Sequence, residues 1–140
     1  MAVNNAKEEA ERVTDQEERV GAVLTLLGKM LGINTPRRIE AFDISNISGT
    51  DIVASMVVFV DGMPRRSEYK RFKIENMKQQ NDYASMHQVL TRRFTRYLQR
   101  DTGFLQKPDL LLIDGGIAHA QTAVDALSAL NLNFPIFGMV

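Results

Sequence analysis

A chain of 140 residues has the length of one globular domain, and 44% hydrophobic with 24% charged residues is the composition of a folded protein rather than a disordered or collagen-like one. Seventeen Lys and Arg balance 17 Asp and Glu, and zero cysteine excludes disulfide staples, zinc–thiolate centres and thiol catalysis. No apolar run approaches the ~20 residues that span a bilayer, and the charged N-terminus lacks a signal-sequence pattern, so a cytoplasmic location away from membranes is expected.

Residues 1–32 carry four basic and six acidic side chains, a net of −2. Ala6, Ala10, Val13, Val20, Leu24, Leu27 and Leu31 recur at intervals of three and four, broken at Glu17, which predicts an amphipathic helix ending near Gly32. Gly21 and Gly28 weaken that helix in isolation, so it is expected to dock on its own domain or on a partner. Ile39–Ile44 then reads as a strand, Ser45–Thr50 as a turn, and Ile52–Val60 as a central strand with both faces covered. Asp61-Gly62 signals a tight hairpin. The return strand Ser67–Ile74 puts Phe72 and Ile74 on one face and Tyr69, Arg71 and Lys73 on the other, completing a three-stranded meander.

A helix is predicted over Tyr83–Arg100, capped by Asn81 or Asp82, with the stripe Tyr83, Met86, Leu90, Phe94 and Tyr97. Asp109–Asp114 reads as a short buried strand, Gly115-Gly116 as a turn, Ala118–Leu130 as a helix, and Phe134–Val140 as the start of another strand. The order is βββαβαβ, an α/β fold with a mixed sheet preceded by an N-terminal amphipathic helix.

Two constellations carry chemistry. Asp43 lies in an apolar strand and Asp114 closes the run Leu110–Ile113. Such carboxylates cost several kcal/mol unless something neutralises them. If their strands are neighbours, ~4.8 Å apart, both reach one cation, and carboxylates with water suit Mg²⁺ or Mn²⁺. The competing reading is structural: Asp114 caps the following helix and Asp43 makes a turn with the Ser45 and Ser48 region. The second constellation is basic. Between Arg65 and Lys107 eleven Lys and Arg face four acids, a net of +7. Arg71 and Lys73 share a strand face, while Arg92, Arg93, Arg96 and Arg100 share a helix face. Phosphate-backbone contact and a solvated surface both account for this charge. His87 reads as packing beside Met86 and Leu90, and His119 as either a site residue or a helix-surface residue.

Arg37–Thr50 (RRIEAFDISNISGT), Val53–Pro64, Tyr69–Ile74, Asn81–Met86, Leu90–Phe94 and Pro108–Gly116 (PDLLLIDGG) together resemble, in order, the C-terminal endonuclease domain of UvrC, the nuclease subunit of bacterial nucleotide excision repair. The resemblance covers residues 34–140, with 1–33 as a connecting segment, and implies an RNase H-like fold. It implies cleavage of a phosphodiester on the 5′ side of a lesion in double-stranded DNA, with Mg²⁺ or Mn²⁺ held by Asp43 and Asp114. It also implies partnership with UvrB, downstream of UvrA, through parts outside this chain. The family's site uses a further acid and a histidine C-terminal to Val140, so the 140 residues alone are expected to be inactive. Ile117-Ala118-His119 departs from the family, where lysine and glycine often follow the double glycine. Two other classes stay open: an actin-like nucleotide-binding module, whose phosphate loop Asp43 with Ser48-Gly49-Thr50 loosely resembles, and a non-catalytic DNA- or partner-binding module.

Overall fold

The computed structural model describes residues 2–47, 51–75 and 81–140. In chain order these form α1 (Ala2–Leu31), β1 (Arg38–Ile47), β2 (Asp51–Val60), β3 (Met63–Pro64), a 3-10 turn (Arg66–Glu68), β4 (Lys70–Lys73), α2 (Asp82–Leu98), β5 (Leu110–Asp114), α3 (Ile117–Ala129) and β6 (Ile136–Met139). The sheet runs β3-β2-β1-β5-β6, with β4 also paired to β2. β1 and β2 are antiparallel, whereas β1–β5 and β5–β6 are parallel. The mixed α/β sheet after an N-terminal helix is therefore present.

Alternation along each strand divides the core in two. Phe42, Ala54, Met56, Val58, Phe72, Leu111 and Ile113 pack with Met86, Val89, Leu90, Phe94, Ala123, Ala126 and Leu127 of α2 and α3. On the opposite face Ile39 and Leu110 pack against Leu24, with Val20, Leu27 and Leu31 around them. The last three turns of α1 thus dock on the sheet, whereas residues 5–19 are exposed all round. The Asp61-Gly62 turn has positive φ at both positions, 52° and 81°, as a two-residue hairpin requires. α1 also crosses this hairpin closely: a Cβ at Gly62 would lie 2.1 Å from Val20 Cγ1.

Two elements differ from the sequence reading. β1 continues through Ser45–Ile47 because those residues pair with Asp51–Val53; residues 48–50, the rest of the expected turn, lie outside the described residues. The return strand is divided into β3 and β4. Pro64 has no N–H to extend the ladder, and the 3-10 turn behind it brings Glu68 to Arg38, Nη1–Oε1 2.7 Å. Asn81 is the α2 cap, its Oδ1 accepting the Ala84 N–H at 3.0 Å.

Between β1 and α2 sits a buried ion pair, Glu40–Arg93. Glu40 is 0% and Arg93 1% exposed. Arg93 donates to both Glu40 oxygens, at 3.2 and 2.9 Å, and to the carbonyls of Phe104 and Gln106, at 3.0 and 2.8 Å. Glu40 also accepts from Arg38 Nε at 2.9 Å. Removing Arg93 leaves the fully buried Glu40 with one arginine, Arg38, in place of two, and takes the donor from the Phe104 and Gln106 carbonyls. Arg93→Ala is therefore expected to lower unfolding free energy by about 3–5 kcal/mol in chemical denaturation, far more than truncation of an exposed arginine.

Candidate active site

Asp43 and Asp114 converge because of strand register. Phe42 pairs with Ile113 in the parallel β1–β5 ladder, so the next residue on each strand, Asp43 and Asp114, projects side by side. The two carboxyl groups lie close enough for Asp114 to act on Asp43. Both lie on the sheet face that also carries Ile39 and Leu110, but beyond the part that α1 covers.

Asp43 is held above the ordinary aspartate value of 3.8, first by partial burial of its carboxyl, then by the hydrogen bond to Asp114 and that group's charge; Asp82 adds a smaller repulsion, and the Ile44 backbone N–H opposes the shift. No third His, Asp or Glu completes a metal-binding group among the described residues.

The row continues across the sheet. Asp43 is opposite Ser55 on β2, and Ser55 is opposite Arg71 on β4. Arg71, Ser55, Asp43 and Asp114 therefore share one face across four strands, with Arg71 two strand spacings, about 10 Å, from Asp43. Lys73, opposite Val53, lies on the same face two residues along.

The arginines of α2 do not form the single outward stripe that helical spacing predicts. Arg93 is withdrawn into the core, a correction to its expected nucleic-acid contact, because Glu40 lies opposite it in β1. Arg92 is half-buried, donating to the Lys73 carbonyl at 2.6 Å beside the Phe72 ring. Arg96 packs over Phe104, 4.8 Å from the ring centroid, and Arg100 is exposed just past the helix end with φ 59°. Arg96 is ~21 Å along α2 from Asp82, at the end remote from the carboxylates.

The double glycine has two separate jobs. A Cβ on Gly115, whose φ is +135°, would lie 2.5 Å from the His119 ring. Gly116 carries its carbonyl to 2.6 Å from where a Gly138 Cβ would stand, so Gly116 and Gly138 together permit the close approach of β6. His119 stacks on Tyr83, centroids 4.4 Å apart. His87, read as packed, is exposed, with Nδ1 3.4 Å from Thr91 Oγ1. Sequence reasoning passed over Glu40 and Tyr83. A charge between Ile39 and Ala41 in an apolar strand is a signal for a buried partner, whereas nothing local marks Tyr83 as facing outward.

Residues 28–140 match the family described as the UvrC RNase H endonuclease domain. The UvrABC system protein C of Lachnospira eligens is 41% identical over 150 aligned positions, covering 100% of this chain and 24% of that protein. The protein of the same name from Caldanaerobacter subterraneus subsp. tengcongensis is 44% identical over 126 positions, covering 81% of this chain and 20% of that protein. The chain thus spans about a quarter or less of the length of these relatives. Among solved structures, a Ciona intestinalis Endonuclease V variant in complex with a 23mer DNA containing an inosine followed by a ribo-adenosine has a TM-score of 0.51 at 13% identity, covering 94% of this chain and 56% of that one. That likeness is one of fold, the mixed sheet with helices on both faces. The chain belongs to the UvrC RNase H endonuclease domain family. No helix among the described residues is long and apolar enough to cross a membrane.

The raised Asp43 sets a pH dependence. The folded state holds this proton more tightly than the unfolded chain, so the stabilising contribution is complete below the ordinary value and is lost as pH rises through the folded one. Asp43→Asn is expected to raise the melting temperature of the metal-free chain at pH 7 and to change it little at pH 3.5. Equal effects at both pH values would contradict the upward shift of Asp43.

Proposed function

We propose that the chain is the nuclease part of a nucleotide-excision-repair subunit, cleaving a phosphodiester on the 5′ side of a lesion in double-stranded DNA with Mg²⁺ or Mn²⁺. The observation that carries this reading is the side-by-side pair Asp43–Asp114 on adjacent parallel strands of a UvrC-family domain. Two carboxylates that repel each other without a counter-ion, with only oxygen donors and an open sheet face before them, fit a hard divalent cation. Asp43 and Asp114 would hold it, and when bound it supplies activation of water and neutralisation of charge in the in-line displacement. The chain's own residues do the rest. The β1–β5 register fixes the two carboxylates relative to each other, and Arg71 and Lys73 lie where the phosphates of a strand crossing the same face would run. Recruitment by UvrB, and with it UvrA, through segments beyond these residues, and a cytoplasmic setting, belong to the same reading.

Two experiments test it. In the full-length subunit, assayed with its partner proteins on lesion-bearing duplex, Asp43→Ala or Asp114→Ala is expected to lower the 5′ incision rate by at least a thousandfold; undiminished incision in both variants refutes the assignment. In equilibrium binding of duplex DNA at several salt concentrations, Arg71→Ala and Lys73→Ala should each reduce the slope of log affinity against log salt by about 1. Arg96→Ala and Arg100→Ala, remote from the row, should leave that slope nearly unchanged.

A further inference from the structure

Tyr83 opens the apolar stripe of α2, yet it does not behave like the rest of that stripe. Met86, Leu90 and Phe94 are 0% exposed, while Tyr83 is 49% exposed. Its ring lies on the half-buried His119, centroids 4.4 Å apart and planes tilted by 31°. The imidazole in turn occupies the space that a side chain at Gly115 would take. The two rings therefore form one aromatic surface joining the first turns of α2 and α3, open to solvent on the tyrosine side. Its neighbours are the carboxylates: Gly115 follows Asp114, and Asp82, next to Tyr83, is close enough to act on Asp43.

We propose that the Tyr83–His119 pair is a nucleobase-binding platform bordering the Asp43–Asp114 site, taking an unpaired or extruded base of the strand to be cut; this rests on the nuclease reading above. Charge decides which part of a nucleotide fits. Asp43, Asp82 and Asp114 disfavour a phosphate at the platform, whereas a base is uncharged and every base has a face to stack. Apart from the scissile phosphate, which a cation at Asp43 and Asp114 would take, backbone phosphates go to Arg71 and Lys73 at the opposite end of the row. A base inside a duplex offers no free face, so the platform selects for unstacked nucleotides. The role of the pair is to position the strand; neither ring is assigned a part in proton transfer.

The test uses the 140-residue chain with a single-stranded oligonucleotide carrying 2-aminopurine, and with the fully paired duplex of the same sequence, both without added metal. The wild-type chain should quench 2-aminopurine fluorescence in the single strand. Tyr83→Ala and His119→Ala should each weaken single-strand binding roughly tenfold and remove the quenching, with duplex affinity changed less than twofold. Tyr83→Phe, which keeps the ring, should retain both. Tyr83 is half exposed, so the melting temperature of Tyr83→Ala should stay near that of the wild type, separating lost stacking from lost fold. Wild-type single-strand affinity and quenching in both alanine variants would overturn the platform while leaving the nuclease reading intact. Absence of binding to either oligonucleotide by the wild-type chain would count against both.

Discussion

The parallel pairing of β1 with β5 is the constraint on which the site depends. A shift of one residue would turn Asp114 to the opposite face of the sheet from Asp43. Two features hold the register. The Asp109 carboxylate accepts the backbone N–H groups of Arg37 and Arg38, at 3.0 and 2.8 Å, while its own N–H donates to the Arg38 carbonyl at 2.8 Å. Downstream, Glu40 and Arg93 tie β1 to α2 and to the segment leading into β5 through the Phe104 and Gln106 carbonyls. One buried ion pair thus joins three elements a few residues before the carboxylates appear.

The sheet face bearing the carboxylates is divided along its length. The last turns of α1 cover the end carrying Ile39 and Leu110 with an apolar cluster. Beyond them the face turns polar, and Asp43, Ser55, Arg71 and Asp114 line up across it. Partial cover concentrates charge of both signs on a surface that remains accessible: acids at the centre, cations toward β4. The zero net charge of the chain conceals this. It averages an acidic helix with a basic middle, and part of that middle is itself neutralised internally, as Arg93 shows.

Much of the fold is legible locally. The Asp61-Gly62 hairpin, the Asn81 cap and the apolar stripes follow from backbone preferences and periodicity that act over a few residues. Asp43 and Asp114 stand out because acids at strand positions in apolar runs need a reason. What was not legible depends on pairs distant in sequence. Arg92, Arg93, Arg96 and Arg100 look equivalent on a helical projection, and only Glu40, 53 residues earlier than Arg93, separates one from the rest. Tyr83 and Met86 look equivalent too, until α3 places His119 against the first and leaves it at the rim.

The sequence by itself determined the family and most of the order of elements, and singled out Asp43 and Asp114 as candidate acids, because composition, spacing and turn chemistry are properties of short stretches. The tertiary structure decided which acids meet, which cations remain outside, and which aromatic ring faces solvent. Those outcomes rest on strand register and helix packing. They bring Asp43 to Asp114 and Glu40 to Arg93 across intervals of many tens of residues, where the energy of each contact exists only once both partners are in place.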